Sequence, residues 1–236
     1  MYFVSTSQAV QLFANHELVT RGPFAIVRHP MSQLFYPGCG GKMPVNASIP
    51  DRFESQRLIL RPYHAGDGPL IYAVGQKNRQ HLQRYEADNA ILSAKTVPEA
   101  EALVRELAAD WTARRCFFIG AFDKLSAEFV AQVYIGVVNW DTPEFEVGFF
   151  VDQDHEGQGY VTEAVRTALD FVFEHLLAQR VSLRCDTTNT RSQRVAERCG
   201  FTREGLLRQV RRQPDGSFSD AYIYGLLRSE WLGKPA

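Results

Sequence analysis

The pattern of apolar and polar positions becomes regular only after the first fifth of the chain. The run RLILRPY at 57–63 predicts a strand, and apolar residues at helical spacing predict helices over 68–85 and 97–114. Three apolar or alternating runs follow at 116–123, 129–140 and 144–152, with short polar breaks between them. This spacing predicts three neighbouring antiparallel strands.

The second half of the pattern predicts a helix, a strand, a second helix and two further strands. The first helix, within 160–179, has one apolar stripe formed by Val161, Val165, Ala168, Leu169, Val172 and Leu176. A strand over 181–187, a helix over 189–200 ended by Gly200, and strands near 206–211 and 222–227 complete the order βααβββαβαββ. Because a strand, helix and strand usually form a right-handed parallel unit, the sheet should be mixed.

Residues 1–50 predict an irregular extension in front of a single domain over 51–236. Five of the eleven prolines fall in this segment, where regular structure is hard to sustain. Met43 is a plausible start of the domain, so we interpret residues 1–42 as a fusion remnant or a misassigned start. The segment TRGPFAIVRHPMSQ at 20–33 resembles a motif fragment of the isoprenylcysteine carboxyl methyltransferases.

Composition excludes several classes of partner. Lys plus Arg (26) nearly balances Asp plus Glu (27), and no basic run is interleaved with aromatics, so nucleic-acid binding is not expected. No apolar window is long enough to span a membrane. Four scattered cysteines and six histidines form no recognisable ligand pattern, so we expect no metal and a cytoplasmic location.

The segment EGQGYVTEA at 156–164 is the clearest candidate for ligand binding. It joins an apolar strand to a helix through two glycines, and such a junction directs unpaired N–H groups outward, where the helix dipole favours an anion. A P-loop is excluded because the lysine is missing, and a dinucleotide fingerprint is excluded because Thr162 stands at the third glycine position. A tight structural turn is the alternative interpretation.

Three segments in order, EVGFFVDQDHEGQGYVTEAV, CDTTNTRSQRVAERCGF and DAYIYGLL, resemble the GNAT acetyltransferase superfamily, and most closely its ribosomal-protein N-terminal acetyltransferase branch. The resemblance covers roughly residues 52–231. It implies an α/β (α+β) GNAT fold with a mixed, mostly antiparallel sheet flanked by helices. It also implies an N-acetyltransferase that moves an acetyl group from acetyl-CoA directly to a primary amine.

The resemblance also assigns the residues that would hold acetyl-CoA. The strand contacts are Phe150 and Val151, the pantetheine contact is Asn189, and the loop amides belong to Gly157, Gln158, Gly159, Tyr160 and Val161. The family pattern [QR]xxGx[GA] reads Glu156, Gly159 and Val161 here, so only the middle position agrees. An acidic side chain beside a diphosphate should weaken binding unless it turns away.

Two residues are candidates for the chemistry. Glu146, on a predicted strand, would act as general base through water. Asn189 and Ser192 match the NxxS motif of the superfamily, and this resemblance implies that Ser192 approaches the thioester sulfur. The structural alternatives are a surface glutamate paired with a cation, and a helix start in which Asn189 caps and Ser192 occupies the first turn. Asp220, Tyr222 and Tyr224 are weaker candidates for proton transfer.

The acceptor and the oligomeric state stay open. A protein N-terminus is favoured by the resemblance, while polyamines, amino acids and aminoglycosides also fit the superfamily. The alternative function is a non-catalytic acyl-CoA-binding protein of the same fold, which the departures at Glu156 and Val161 suggest.

Overall fold

The computed structural model describes residues 49–87, 89–213 and 216–233. The predicted extension over 1–50 falls outside these ranges except for Ile49 and Pro50, as do Cys39 and the methyltransferase-like segment. From Leu58 to Leu227, the predicted order of strands and α-helices is confirmed.

Eight strands in the described residues form one mixed sheet in the order β1-β2-β3-β4-β5-β6-β8-β7. All neighbouring pairs are antiparallel except β5 and β6, which are parallel. The strands are β1 Phe53–Glu54, β2 Leu58–Pro62, β3 Cys116–Asp123, β4 Phe129–Asn139, β5 Glu144–Val151, β6 Arg180–Asp186, β7 Thr202–Arg212 and β8 Phe218–Leu227.

Five α-helices accompany the sheet in the described ranges. They are α1 Gly68–Gln83, α2 Val97–Thr112, α3 Tyr160–Glu174, α4 Thr190–Cys199 and α5 Arg228–Leu232. Thr96 caps α2 by accepting a hydrogen bond from the Glu99 N–H, and Gly200 ends α4 in the left-handed conformation. None of these helices combines the length and apolar character needed to cross a membrane.

Two apolar clusters cover the two faces of the sheet. The larger one joins the apolar stripe of α3 to alternate residues of the central strands, including Phe117, Phe145 and Val181. The smaller one joins α1 and α2 to the opposite face, where Phe122 and Phe150 lie. Alternation along β5 therefore sends Phe145 and Val147 toward α3 and leaves Glu146 on the other face.

The structure adds four short elements that the sequence pattern does not reveal: the two-residue strand β1, the five-residue helix α5, and 3-10 helices at Ala90–Leu92 and Gln153–His155. It also extends the last two strands, which run to Thr202–Arg212 and Phe218–Leu227 instead of covering only their apolar centres. Backbone pairing between these strands continues through polar residues that carry no apolar signal.

Replacing Phe171 by Ala is expected to destabilise the fold by about 3–5 kcal/mol. The ring is 1% exposed and packs against Phe53, Trp111 and Phe117, so its loss leaves a cavity beneath α3. The measurement is the free energy of unfolding in urea. The matched control is Phe218→Ala, because this ring is 58% exposed and its loss should change stability by only about 0.5 kcal/mol. Equal losses in the two variants would contradict the packing described here.

Candidate active site

The two parallel strands at the centre of the sheet separate after three residue pairs. β5 and β6 are in register at Glu144–Arg180, Phe145–Val181 and Glu146–Ser182, and their pairing stops there in the described chain. β5 continues to Val151 and β6 to Asp186, so a cleft opens between their carboxyl ends. Ligands of open α/β sheets bind at such a position.

Glu146 lies at the point where this cleft begins. Its side chain is 19% exposed, and the Arg184 Nε lies 3.8 Å from its Oε1, which is close enough for an ion pair but too far for a hydrogen bond. Burial raises the pKa of Glu146 to about 7, which is the range a general base needs near neutral pH.

Tyr134 and two glycines shape the face of the sheet beside Glu146. Gly136 is the register partner of Glu146 on β4, and a Cβ added at Gly136 would lie 2.6 Å from the Tyr134 hydroxyl oxygen. A Cβ at Gly148 would lie 3.6 Å from the same ring. The two glycines therefore let the ring lie flat beside the carboxylate, where Phe118 packs on it with centroids 4.8 Å apart. The sequence analysis missed Tyr134, although a glycine two residues away on the same strand face was a usable signal.

The turn between β5 and α3 has the conformation expected of an anion-binding loop. Gly157 and Gly159 have φ of 74° and 83°, a region that suits glycine and disfavours other residues. In the described ranges, the N–H groups of Gly157, Gly159, Tyr160 and Val161 take no part in the backbone hydrogen bonds of the turns and caps, whereas the Gln158 N–H closes the turn over Glu156 and Gly157. The other four predicted loop amides are thus available to a ligand, and such an arrangement suits a diphosphate.

Phe150 and Val151 lie on β5 beyond the last pair with β6. The Phe150 ring is buried in the smaller apolar cluster, so any ligand contact at this residue would come from its backbone. Both residues pair with β4 through Gln132 and Ala131, which fixes one edge of β5 and leaves the other toward the cleft.

The carboxylate of Glu156, at the front of the loop, lies next to two side chains from other parts of the fold. The Arg191 Nη1 donates a hydrogen bond to Glu156 Oε1, and the His81 Nε2 lies 3.5 Å from the same oxygen. Arg191 belongs to α4 and is largely exposed. Glu156, the acidic residue that departs from the family pattern, is therefore paired with the guanidinium of Arg191, and this pairing offsets its negative charge.

A buried carboxylate anchors the start of the loop to α1. Asp152 is 2% exposed and accepts hydrogen bonds from Lys77 Nζ at 2.7 Å and Asn78 Nδ2 at 2.8 Å. Burial acts to raise the pKa of Asp152, but these bonds lower it below its usual range. Asn78 also accepts from the Gln153 N–H at 2.8 Å, so the residues before the loop are fixed from two sides.

Asn189 and Ser192 sit at the start of α4, across the cleft from β5. The Asn189 Oδ1 accepts a hydrogen bond from the Ser192 N–H at 3.1 Å, so the structural alternative, in which Asn189 caps α4, is present. Burial raises the pKa of the Cys185 thiol, on the neighbouring strand β6, to about 11. Tyr224 is 1% exposed in the larger cluster, on the face of the sheet opposite Glu146, so packing accounts for it.

No group of three side chains suited to metal binding occurs in the described part of the chain. Cys116, Cys185 and Cys199 are buried and form no disulfide within the described residues.

A family profile described as an acetyltransferase (GNAT) domain matches residues 57–202. An uncharacterized N-acetyltransferase, p20 of Bacillus licheniformis, is 26% identical over 179 residues, which are 76% of this chain and 97% of that protein. The ribosomal-protein-serine acetyltransferase of Escherichia coli is 28% identical over 108 residues, 44% of this chain and 60% of that protein. The spermidine N(1)-acetyltransferase of Vibrio cholerae is 23% identical over 180 residues, 76% and 98% of the two chains.

Solved structures share the fold. The ribosomal-protein-S5-alanine acetyltransferase of Vibrio fischeri superposes with a TM-score of 0.68 at 21% identity, covering 78% of this chain and 99% of that one. The ribosomal L7/L12 acetyltransferase RimL in complex with coenzyme A gives 0.67 at 20% identity, covering 76% and 97%. The methyltransferase resemblance of residues 20–33 receives no support from these comparisons, because the family match begins at residue 57.

Glu146 should make stability depend on pH in a way that Glu146→Gln removes. Its pKa of about 7 in the folded protein exceeds the ordinary value of 4.5, so its contribution is fully present below pH 4.5 and is lost as pH rises through 7. The free energy of unfolding of the unchanged protein, minus that of Glu146→Gln, should fall over this range by at most roughly 3 kcal/mol. Urea unfolding of both proteins from pH 4 to 8.5 measures it, and a difference that does not vary with pH would contradict the raised pKa.

Proposed function

Because the chain belongs to the GNAT acetyltransferase family and is an N-acetyltransferase, we propose that it transfers the acetyl group of acetyl-CoA to the α-amino group of a protein N-terminus. The observation that carries this proposal is the position of Glu146. A half-buried carboxylate with a pKa of about 7 stands where β5 and β6 separate, beside a loop of unpaired N–H groups.

The residues of the cleft fit acetyl-CoA, which would supply an activated acetyl thioester. The four available N–H groups of the loop and the nearby Arg191 would hold the diphosphate, since both present positive charge at the N-terminus of α3. The free edge of β5 at Phe150 and Val151 would pair with the amides of the pantetheine arm, and Asn189 would contact that arm from α4. Glu156 and Val161 do not spoil this arrangement, because Glu156 is paired and Val161 contributes its backbone.

The pKa of Glu146 favours an α-amino acceptor over an alkylamine. An α-ammonium group has a pKa of about 7.7–8.0, within roughly one unit of Glu146, whereas a lysine-like ammonium is near 10.4. Proton transfer to Glu146 is therefore much less uphill from a protein N-terminus than from a polyamine. The ribosomal-protein acetyltransferases among the relatives support the same class of acceptor.

Two residues of the chain would move the protons. Glu146 takes one from the acceptor ammonium through a water molecule, which leaves a neutral amine able to form the new C–N bond as the C–S bond breaks. As the amide forms, the nitrogen loses its second proton to solvent. Ser192 would give a proton to the departing thiolate and recover one from solvent, and Glu146 would release its proton to solvent before the next turnover. Glu146 and Ser192 lie on β5 and α4, on opposite sides of the cleft, which suits removal and delivery of protons at the two ends of the reaction.

A non-catalytic acyl-CoA binder is the weaker alternative. Such a protein needs the loop amides but has no use for a carboxylate whose burial raises its pKa to about 7. The N-acetyltransferase relatives also favour the enzyme.

Glu146→Gln is expected to lower kcat by roughly 100-fold or more, because the general base is lost, while the Kd for acetyl-CoA stays within about twofold. Thiol release in the presence of a short peptide with a free N-terminus measures turnover, and calorimetry measures binding. The unchanged enzyme should also show an apparent pKa near 7 in its pH–rate profile.

The matched control is Glu144→Gln. Glu144 lies on the same face of β5 but pairs with Arg180 at the closed end of the strands, so its loss should leave kcat nearly unchanged. A full rate in Glu146→Gln would overturn its role as base. Faster acetylation of spermidine than of the peptide would overturn the proposed acceptor.

A further inference from the structure

We propose that Arg57 positions the diphosphate loop and is required for tight binding of acetyl-CoA, although it lies more than one hundred residues before that loop. The inference rests on the proposed function and names a residue that the loop motif does not contain. Arg57 immediately precedes β2, a strand separated from β5 by β3 and β4 in the sheet.

The Arg57 guanidinium holds the loop by three different contacts. Its Nη1 donates to the Gln158 carbonyl oxygen at 3.1 Å, its Nε donates to Glu163 Oε2 at 2.7 Å, and its Cζ lies 4.3 Å from the centroid of the Tyr160 ring. One planar group therefore contacts the turn, the first residue of α3 and the first helical turn. Only arginine offers a fork of donors and a stacking face together.

The bond to Gln158 fixes the direction of the next N–H group. No peptide bond in the described chain is cis, so the Gln158 carbonyl and the Gly159 N–H point in opposite directions. Because the Gln158 carbonyl is turned toward Arg57, the Gly159 N–H is turned away from the guanidinium. Gly159 permits this orientation through its φ of 83°.

Arg57 is itself held in place by neighbours that do not face the cleft. Glu163 Oε1 accepts hydrogen bonds from the backbone N–H of Arg57 at 2.8 Å and from the Ser55 hydroxyl at 2.7 Å. Partial burial acts to raise the pKa of Glu163, but these bonds keep it below its usual range and the carboxylate charged. The Tyr160 ring that Arg57 contacts is also held in place, because its hydroxyl donates a hydrogen bond to Asp123 Oδ2 at 2.9 Å.

This arrangement gives the loop its shape before any ligand arrives. A loop ordered in advance does not lose conformational freedom on binding, and that loss would otherwise subtract from affinity. Arg57 touches no reacting atom in this scheme, so its removal should act on cofactor binding and leave the chemical step unchanged.

The test compares two acyl donors in the full-length chain. Arg57→Met should raise KM for acetyl-CoA by about tenfold or more, since a charge-assisted bond to the loop is lost, with kcat nearly unchanged. The kcat/KM for S-acetylpantetheine, which lacks the diphosphate, should stay the same. Arg57→Lys keeps the charge but cannot hold Gln158 and Glu163 together, so it should restore little of the affinity.

Arg61→Met is the matched control. Arg61 also lies on the β2 segment, binds a carboxylate through two nitrogens, at 2.6 and 3.0 Å from Asp67, and lies over an aromatic ring, Phe122, at 4.5 Å. It does not contact the loop. Arg61→Met should lower the free energy of unfolding by about as much as Arg57→Met does, and it should leave KM for acetyl-CoA unchanged.

Equal KM values for acetyl-CoA in Arg57→Met and the unchanged enzyme would overturn the inference and leave the proposed function standing. The same would follow if Arg57→Met lowered kcat/KM for S-acetylpantetheine as much as for acetyl-CoA. Full affinity in Arg57→Lys would also overturn it, because charge and not loop geometry would then be sufficient. If Arg57→Met fails to fold, Arg57→Lys and Glu163→Gln decide, and both must weaken acetyl-CoA binding. No binding of acetyl-CoA to the unchanged protein would overturn the proposed function and the inference with it.

Discussion

The early end of the pairing between β5 and β6 is the constraint on which the rest of the site depends. Each strand is held on its outer side by an antiparallel neighbour, β4 and β8, so neither can move across to extend the parallel ladder. Their carboxyl ends then diverge, and the unpaired edge, the loop and Glu146 all come to face one cleft. If pairing continued to Val151, the edge of β5 would be closed to a ligand and Glu146 would lie within an ordinary sheet.

The loop shows how a candidate anion site is assembled from backbone geometry and supported by side chains from elsewhere. Its own residues supply glycines and N–H groups but no cation. Arg191 from α4 and Arg57 from the start of β2 bring guanidinium groups to the loop, and Asp152 fastens the preceding residues to α1. Several parts of the chain that are distant in sequence must therefore fold together before the site exists.

The fold was largely predictable from the sequence because its elements are long and strongly periodic. The stripe of α3 and the alternating runs of β3 to β5 identify their own positions, whereas β1 and α5 are too short to show a period. The candidate site was only partly predictable. Glu146 and the loop are local signals, but the place of Tyr134 depends on the register between β4 and β5, and the contacts of Arg57 and Arg191 depend on packing between remote segments.

The lack of a side chain at two glycines beside Tyr134 has a wider consequence for how such enzymes diverge. Gly136 and Gly148 make room for the Tyr134 ring on the face of the sheet that carries Glu146, so a single added methyl group at Gly136 would displace the ring. If the proposed function holds, one small substitution would change the surface near the amine and leave the residues proposed for proton transfer and cofactor binding in place. Relatives that share the fold and the chemistry are free to differ in acceptor, as those that act on ribosomal proteins and on spermidine do.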